Sequence, residues 1–292
     1  MDFFFIHLLN ALLSAATLFL IAGGLSLIYG VMRIVNMAHG NLFAFGAYVT
    51  AWVLGGFLAG APTPVLYLVL HIGALGAALL GSVLEPTLLR PFYKRAEEYQ
   101  LLMTFGLLMI LGDVMHFVWG PYPLSASALW ENSGSLSIAG NPYPVYNLVV
   151  IAIGGVAAAF LWAFVYRTRF GVVLRATSQN MRMASALGVN VNRVYVQAFT
   201  LGCFMAGLGG AIIVPSQSAV LDMGVDALVL SFIVVVIGGL GSLEGALVGA
   251  LIVGVVREAG IVWFPEIELA VLYLMAAIVL LVRPAGLFGR AT

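Results

Sequence analysis

The chain has 292 residues; 63% are hydrophobic, only 8% are charged, and mean hydropathy is +1.11. A soluble domain carries about 25% charged residues, so this chain cannot cover a water-facing surface, which excludes a soluble enzyme and a disordered chain. Net charge is zero from 12 basic and 12 acidic residues, which leaves no electrostatic case for nucleic acid.

The remaining class is an all-α, polytopic membrane helix bundle. The N-terminal MDFFFIHLLN has no Lys or Arg, so it lacks the basic leader of a cleaved signal peptide and is expected to run into the first span. A spanning helix needs about 20 mostly apolar residues. Such stretches fall at 11–31, 41–60, 65–88, 99–119, 144–166, 194–214, 227–240, 246–264 and 268–283. The seventh is short and ends in Gly238-Gly239-Leu240-Gly241-Ser242. It reads as a span or as a re-entrant, broken helix, so the expected count is eight or nine. Barrel strands alternate apolar and polar over about 10 residues; these runs are apolar all round. Residues 1–292 are expected to form one transmembrane domain.

Basic residues gather in inside loops of membrane proteins. With the N-terminus outside, the inside segments hold Arg33; Arg90, Lys94 and Arg95; Arg167, Arg169, Arg175, Arg182 and Arg193; and Arg283 and Arg290. Arg257 is the exception, within a span, and the outside loops hold only acidic charge. The C-terminus is then cytoplasmic. Two loops are long: a polar outer loop at 120–143 and a basic inner loop at 167–193.

Small residues recur every four positions, as in Gly73/Ala77/Gly81, Gly202/Ala206/Gly210 and Ala246/Ala250/Gly254. Such stripes allow close helix approach, either within one bundle or on a face against a second subunit. Asn36-Met37-Ala38-His39-Gly40 interrupts the apolar pattern after the first span. It reads as a turn with a satisfied histidine, or as a break beside a pathway or interface where Gly40 permits non-helical backbone and Asn36 and His39 satisfy freed backbone groups. Asp113 and His116, at i and i+3, share a helix face. Arg257 and Glu258 are adjacent and point apart. Intramembrane charges pair or face the interior, and Asp113 with Arg257 is one expected pair. Asp113 and His116 also fit a polar patch for a charged solute or a proton relay. Gly238, Gly239 and Gly241 mark a cytoplasmic turn or a broken helix near a gate.

The inner loop has helical character over 174–187, with Leu174, Met181, Ala184 and Leu187 on an apolar face and Gly188 as the stop. Spacing alone leaves three readings: a solvated connector, a helix lying on anionic lipid, or a helix that docks into another protein. One cysteine, Cys203, excludes an internal disulfide framework and a Cys-only zinc site. His7 and His71 have no ligand-spaced partner, so no metal is assigned. No G-x-x-x-x-G-K-[ST], H-E-x-x-H or G-x-S-x-G occurs, so neither a phosphate-cradling loop nor an enzymatic site is supported, and the chain is read as no enzyme.

Six segments in order carry a resemblance: Gly24-Leu25-Ser26-Leu27-Ile28-Tyr29-Gly30-Val31; Asn36-Met37-Ala38-His39-Gly40; Arg169-Phe170-Gly171; Ala186-Leu187-Gly188-Val189-Asn190; Gly238-Gly239-Leu240-Gly241-Ser242 with Gly245 and Gly249; and Arg283-Pro284-Ala285-Gly286-Leu287-Phe288-Gly289. Together they resemble the permeases of branched-chain amino acid ABC importers, the LivH type, with Met37 where the family usually has Phe. The resemblance implies a second homologous permease subunit, two cytoplasmic ATPase subunits that bind ATP-Mg, a periplasmic substrate-binding protein, and no cofactor in this chain. It implies multi-pass insertion in the cell inner membrane, surrounded by lipid. It makes 167–193 the coupling loop, with Arg175, Met181, Arg182, Met183, Ala184, Leu187 and Gly188 as the ATPase-coupling set; Met181, Met183 and Leu187 would be the apolar anchors and Arg182 the polar contact. Asn36, His39, Gly40, Asp113, His116, Gly238, Gly239 and Gly241 are the pathway or gate candidates. Leucine, isoleucine and valine are the default substrates by resemblance. An ion-coupled secondary transporter of small polar solutes is the alternative, although such carriers usually show inverted repeats and none is convincing here.

Overall fold

The computed structural model describes residues 2–58, 60–138 and 140–289; Arg290, counted above among the inside cations, lies outside the described residues. Each apolar stretch folds as a helix: α1 (Asp2–Met32), α2 (His39–Gly56), α3 (Thr63–Leu84), α4 (Glu97–Trp119), α6 (Val145–Arg167), α9 (Val191–Ile213), α10 (Met223–Gly238), α11 (Leu243–Trp263) and α12 (Glu268–Val282). The polar loop after α4 folds into α5 (Ala128–Ser133) and an antiparallel hairpin, β1 (Ser135–Ile138) with β2 (Asn141–Pro144). The basic loop carries α7 (Arg169–Gln179) and α8 (Met181–Ala186).

Among the described residues, seven helices are long and apolar enough to cross a membrane: Phe4–Met32, Thr63–Phe92, Glu97–Trp119, Val145–Arg167, Val191–Ile213, Leu243–Trp263 and Pro265–Val282. The other two helices are not among them: α2 is two residues shorter than the stretch 41–60, and α10 two residues longer than 227–240 but still short. α10 has 16 residues, about 24 Å at 1.5 Å per residue, against a hydrocarbon core about 30 Å thick. α2 has 18 residues and carries His39, Asn41 and Thr50, polar groups tolerated because α2 is enclosed by protein.

α2 and α10 also begin inside the bundle. The chain leaves α1 at Met32 and runs non-helically through 33–38. His39 Nε2 then donates to the Ile21 carbonyl (3.0 Å), and Asn41 Nδ2 donates to the carbonyl of Leu108, midway along α4. A Cβ on Gly40 would collide with the Gly224 carbonyl in the first turn of α10. The two helix N-termini therefore meet at mid-bundle.

α1 and α9 form the centre: α9 packs on α1, α2 and α3, while α1 also packs on α6, α10 and α11. The small-residue stripes are these contacts. A Cβ on Gly210 would overlap the Phe43 carbonyl; on Gly81, the Cys203 side chain; and on Gly254, it would come 2.6 Å from the Ala11 carbonyl. These stripes face neighbours within the chain, so they do not form a face against a second subunit.

The loops sort to two ends. At one, Gly30 abuts Gly241, the Ser26 hydroxyl donates to the Ser242 carbonyl (3.0 Å), and Gly239 abuts Gly289. Arg33, Arg90, Lys94, Arg95 and Arg182 line a cavity at this end. At the other end, Leu124 bridges Ala219, Ser125 bonds Ser218 (2.7 Å) and the Tyr143 hydroxyl donates to Asn10 (3.2 Å).

Gly210→Ala is expected to destabilise the chain by about 1–3 kcal/mol through overpacking, whereas Gly155→Ala, with open space around its Cβ, is expected to leave the thermal midpoint in detergent unchanged or raised. Equal midpoints for both variants would contradict close packing at the α9–α2 crossing.

Candidate functional site

The basic loop is built from three side-chain caps. Thr168 Oγ1 accepts from Gly171 N–H (3.0 Å), Asn180 Oδ1 from Met183 N–H (2.9 Å) and Asn190 Oδ1 from Arg193 N–H (3.1 Å). Each satisfies a backbone donor left free at a helix start. The single helix expected over 174–187 is consequently two. Asn180 sits in extended backbone (φ −151°, ψ 92°), because its side chain ends α7 and begins α8 by bonding the local backbone. Gly188 does act as the stop, at φ +85°, with Val189 N–H reaching back to the Ala184 carbonyl (3.0 Å), a Schellman-type closure.

The coupling set divides by direction. Met183 and Leu187 are 57% and 79% exposed, while Ala184 is buried against the bundle. Met181 is 49% exposed but accepts a hydrogen bond on Sδ from Tyr195 (3.2 Å). Arg175 is turned back: Nη1 donates to the Val165 carbonyl (3.1 Å) and the guanidinium lies 5.0 Å from the Tyr166 ring centroid. Arg182 lines the cavity, about 1100 Å³, with Arg33, Arg90, Lys94, Arg95, Thr177 and Ser178. Cations from three separate loops thus converge there.

Beside this cavity stands a group that sequence reading missed. α3 continues as a π-helical turn (Glu85–Leu89) and a 3-10 turn (Arg90–Phe92). The Glu85 carboxylate is fully buried. Arg90 reaches it through Nε (3.3 Å) and Nη2 (2.5 Å), and the Tyr93 hydroxyl donates to it (2.7 Å). Burial, then the bond to Glu85, push the Tyr93 phenol above its ordinary range, so it stays protonated and donates. An acid ending an apolar run with an Arg five residues on was the available signal.

The pathway candidates scatter. Asn36 and His39 are fully buried; Asn36 Oδ1 accepts from Ala38 N–H (3.1 Å) and His39 Nε2 donates to the Ile21 carbonyl, so both bond backbone at the break before α2. Asn36 Nδ2, His39 Nδ1 and Asn41 Oδ1, around the start of α2, and Tyr48 OH and Thr50 Oγ1, further along it, are buried atoms with no protein partner. Gly238, Gly239 and Gly241 form a turn packed against Gly245, Gly289 and Gly30; Gly239 and Gly241 hold positive φ (108° and 77°). Asp113 and His116 lie exposed on α4, on the flank where Phe117 is 91% exposed. The Asp113–Arg257 pair is not formed: Arg257 Nε bonds Glu268 (2.8 Å). Glu258 points elsewhere, to His7 (2.8 Å) and Asn10 (3.1 Å). Depth along a helix is legible in a sequence; angular position is not.

A family model described as "Branched-chain amino acid transport system / permease component" matches residues 7–282. The chain belongs to this family. The permease is similar to the high-affinity branched-chain amino acid transport system permease protein LivH of Salmonella typhimurium (26% identity over 99% of this chain and 96% of that protein). It is also similar to the corresponding protein BraD of Pseudomonas aeruginosa (25%, 97% and 95%), and to the probable branched-chain amino acid transport permease LivH of Methanocaldococcus jannaschii (26%, 84% and 78%). With seven span-capable helices, the permease is a multi-pass protein of the cell inner membrane. The family is one of transporters, not of enzymes.

Native Cys203 is fully buried, so a maleimide probe on the detergent-solubilised permease should report introduced thiols alone. Met183→Cys and Leu187→Cys are expected to label rapidly and Ala184→Cys slowly; equal rates would show that α8 does not present these faces.

Proposed function

We propose that this permease is one of two transmembrane subunits of an ATP-driven importer for branched-chain or related amino acids. Two cytoplasmic ATPases bind and hydrolyse ATP-Mg and dock on 175–190, and a periplasmic binding protein delivers substrate to the other end. The N-terminus is periplasmic, the C-terminus cytoplasmic, and α2 and α10 count as the eighth and ninth, incomplete, crossings. The carrying observation is α8 itself: a capped helix, anchored on its bundle side, that turns Met183 and Leu187 outward at the end where the basic loops gather. An exposed apolar pair on a small rigid helix is suited to helix-in-groove recognition.

Two further features support this assignment. The chain has no phosphate-cradling motif, so hydrolysis resides in a partner. Asp113 and His116 are exposed at membrane depth, an arrangement costly against lipid, which fits a flank facing a second permease subunit or a water-lined path. Asn36, His39 and Gly40, where α2 meets α10, are assigned to the gate. The turn at Gly238, Gly239 and Gly241 is the inner pivot of α10, and its left-handed residues allow the tight approach to the C-terminal segment.

Reconstituted with its ATPases, second permease and binding protein, the chain is expected to take up leucine, isoleucine or valine on ATP addition; uptake by the chain alone under a proton or sodium gradient would reject this assignment. The Met183 and Leu187 thiols should react in inside-out vesicles and not in right-side-out ones.

A second expectation concerns Gly188. Left-handed backbone costs a β-branched residue about 1–2 kcal/mol, and a Cβ there meets no neighbour. Gly188→Val should therefore leave insertion and ATPase binding intact but reduce uptake per ATP several-fold. Full uptake would show that the end of α8 is not part of the coupling surface.

A further inference from the structure

Coupling by a docking helix requires that force on it move the membrane helices instead of folding the helix away. α8 has only six residues, too few to be stable alone, and is joined to α7 through the extended residue Asn180. Its caps fix its ends, but they are bonds of the loop to itself. Transmission into the bundle needs bonds that leave the loop.

Those bonds form a continuous chain. Tyr195, in the first turns of α9, donates its hydroxyl to Met181 Sδ of α8 (3.2 Å). The Tyr195 ring meets the Tyr93 ring edge-on, with centroids 5.4 Å apart and planes at 77°. Tyr93 in turn donates to buried Glu85 (2.7 Å), which Arg90 grips with two nitrogens. Glu85 stands where α3 passes into a π-helical turn, a geometry that π-turns often mark at functional positions. A buried carboxylate left unpaired is costly, so Arg90 and Tyr93 are held to Glu85, and the Tyr93 ring is held against Tyr195. α3 and α9 are closely packed along their length, with Gly207 of α9 enclosed by Ala74 and Ala77 of α3.

We propose that Glu85, Tyr93 and Tyr195 are positioning residues that clamp α8 to the inner ends of α3 and α9, so that displacement of α8 drives the α3–α9 pair as one body. None of the three touches substrate or nucleotide in this scheme; they act through Met181. This rests on the importer reading above, and it adds residues that neither family membership nor the coupling-loop motif singles out.

The experiment uses the full reconstituted complex and measures leucine taken up per ATP hydrolysed, with complex assembly checked by size-exclusion chromatography. Glu85→Gln, Tyr93→Phe, Tyr195→Phe and Met181→Leu are each expected to lower that ratio roughly two- to thirtyfold while ATP hydrolysis continues. Tyr195→Phe combined with Met181→Leu should be no worse than either alone, because both remove one bond. Should Glu85→Gln fail to fold, Tyr195→Phe and Met181→Leu, which each remove the bond between Tyr195 and Met181, decide the case. A second readout is independent of transport. Amide hydrogen exchange over 181–188 in the isolated permease should rise in Tyr93→Phe and Tyr195→Phe relative to the parent chain. Unchanged exchange overturns the clamp even if no transport is ever seen, and a wild-type uptake ratio in these variants overturns it with the importer reading intact. Failure of the parent complex to transport at all, with exchange raised in the variants, overturns the importer reading and leaves the clamp.

Discussion

The fold depends on helices approaching until backbone touches backbone. In hydrocarbon there is no hydrophobic gain from bringing two apolar helices together, so association rests on dispersion, on weak contacts between backbones and on interhelical hydrogen bonds. All three fall away steeply with distance. At the crossings of α9 with α2 and of α1 with α11, a single added methyl would overlap the opposing carbonyl or Cβ. The glycines and alanines at those points are therefore positions where side chain has been removed so that backbone can supply the contact. The same proximity allows Ser26 to reach the Ser242 carbonyl and His39 to reach that of Ile21. Interior polar residues could not be satisfied across wider helix spacings.

Close packing also makes broken helices possible. The backbone between α1 and α2 gives up its regular hydrogen bonds at the depth of Ile21, and such a break persists only where protein encloses it. Arg33 takes a left-handed conformation (φ 58°) to turn the chain, Asn36 caps Ala38, and Gly40 and Gly224 let two helix starts share a space that no side chain would fit. The unpartnered atoms of Asn36, His39 and Asn41 belong to this junction. Each buried polar group without a partner costs about 1–3 kcal/mol, so the start of α2 is held less firmly than its close packing alone would suggest. A region that must rearrange is drawn from such places.

What could be read from the amino-acid order follows from which quantities are local. Twenty apolar residues in a row are local, and the helices appeared where expected, within a few residues; α1 is helical from Asp2 instead of from residue 11. The sidedness of charge is local, and Arg33, Arg90, Lys94, Arg95 and Arg182 do share one cavity. Gly188 was legible as a helix stop because a left-handed residue favours glycine. Asn180 was not, since asparagine inside a polar helix face looks like any other polar residue until its side chain turns onto Met183 N–H. Pairing was illegible for a different reason. Asp113 and Arg257 were expected to pair, yet Arg257 bonds Glu268, eleven residues away across the α11–α12 turn. Glu85, Arg90 and Tyr93 were missed because a π-helical turn brings together residues that ordinary helical spacing would set on different faces. The small-residue stripes were legible as close contacts but not as to which helix they meet.

The ordering of residues 167–193, the proposed coupling loop, has a thermodynamic consequence. A loop that became helical only on docking would lose conformational entropy of about 1–2 kcal/mol for each residue fixed, and that cost would be drawn from the docking energy. Here Thr168, Asn180 and Asn190 each cap a helix start within the loop, Gly188 closes α8, and Ala184 is buried beneath it. The fixed backbone places Met183 and Leu187 outward before any partner arrives. Preorganisation of this kind raises affinity by removing ordering costs. It also makes the loop stiff, and a stiff loop is the only kind that can pass a displacement on. The same caps that shape the proposed docking surface are therefore what give the bonds from Met181 to Tyr195, and from Tyr93 to Glu85, something rigid to hold.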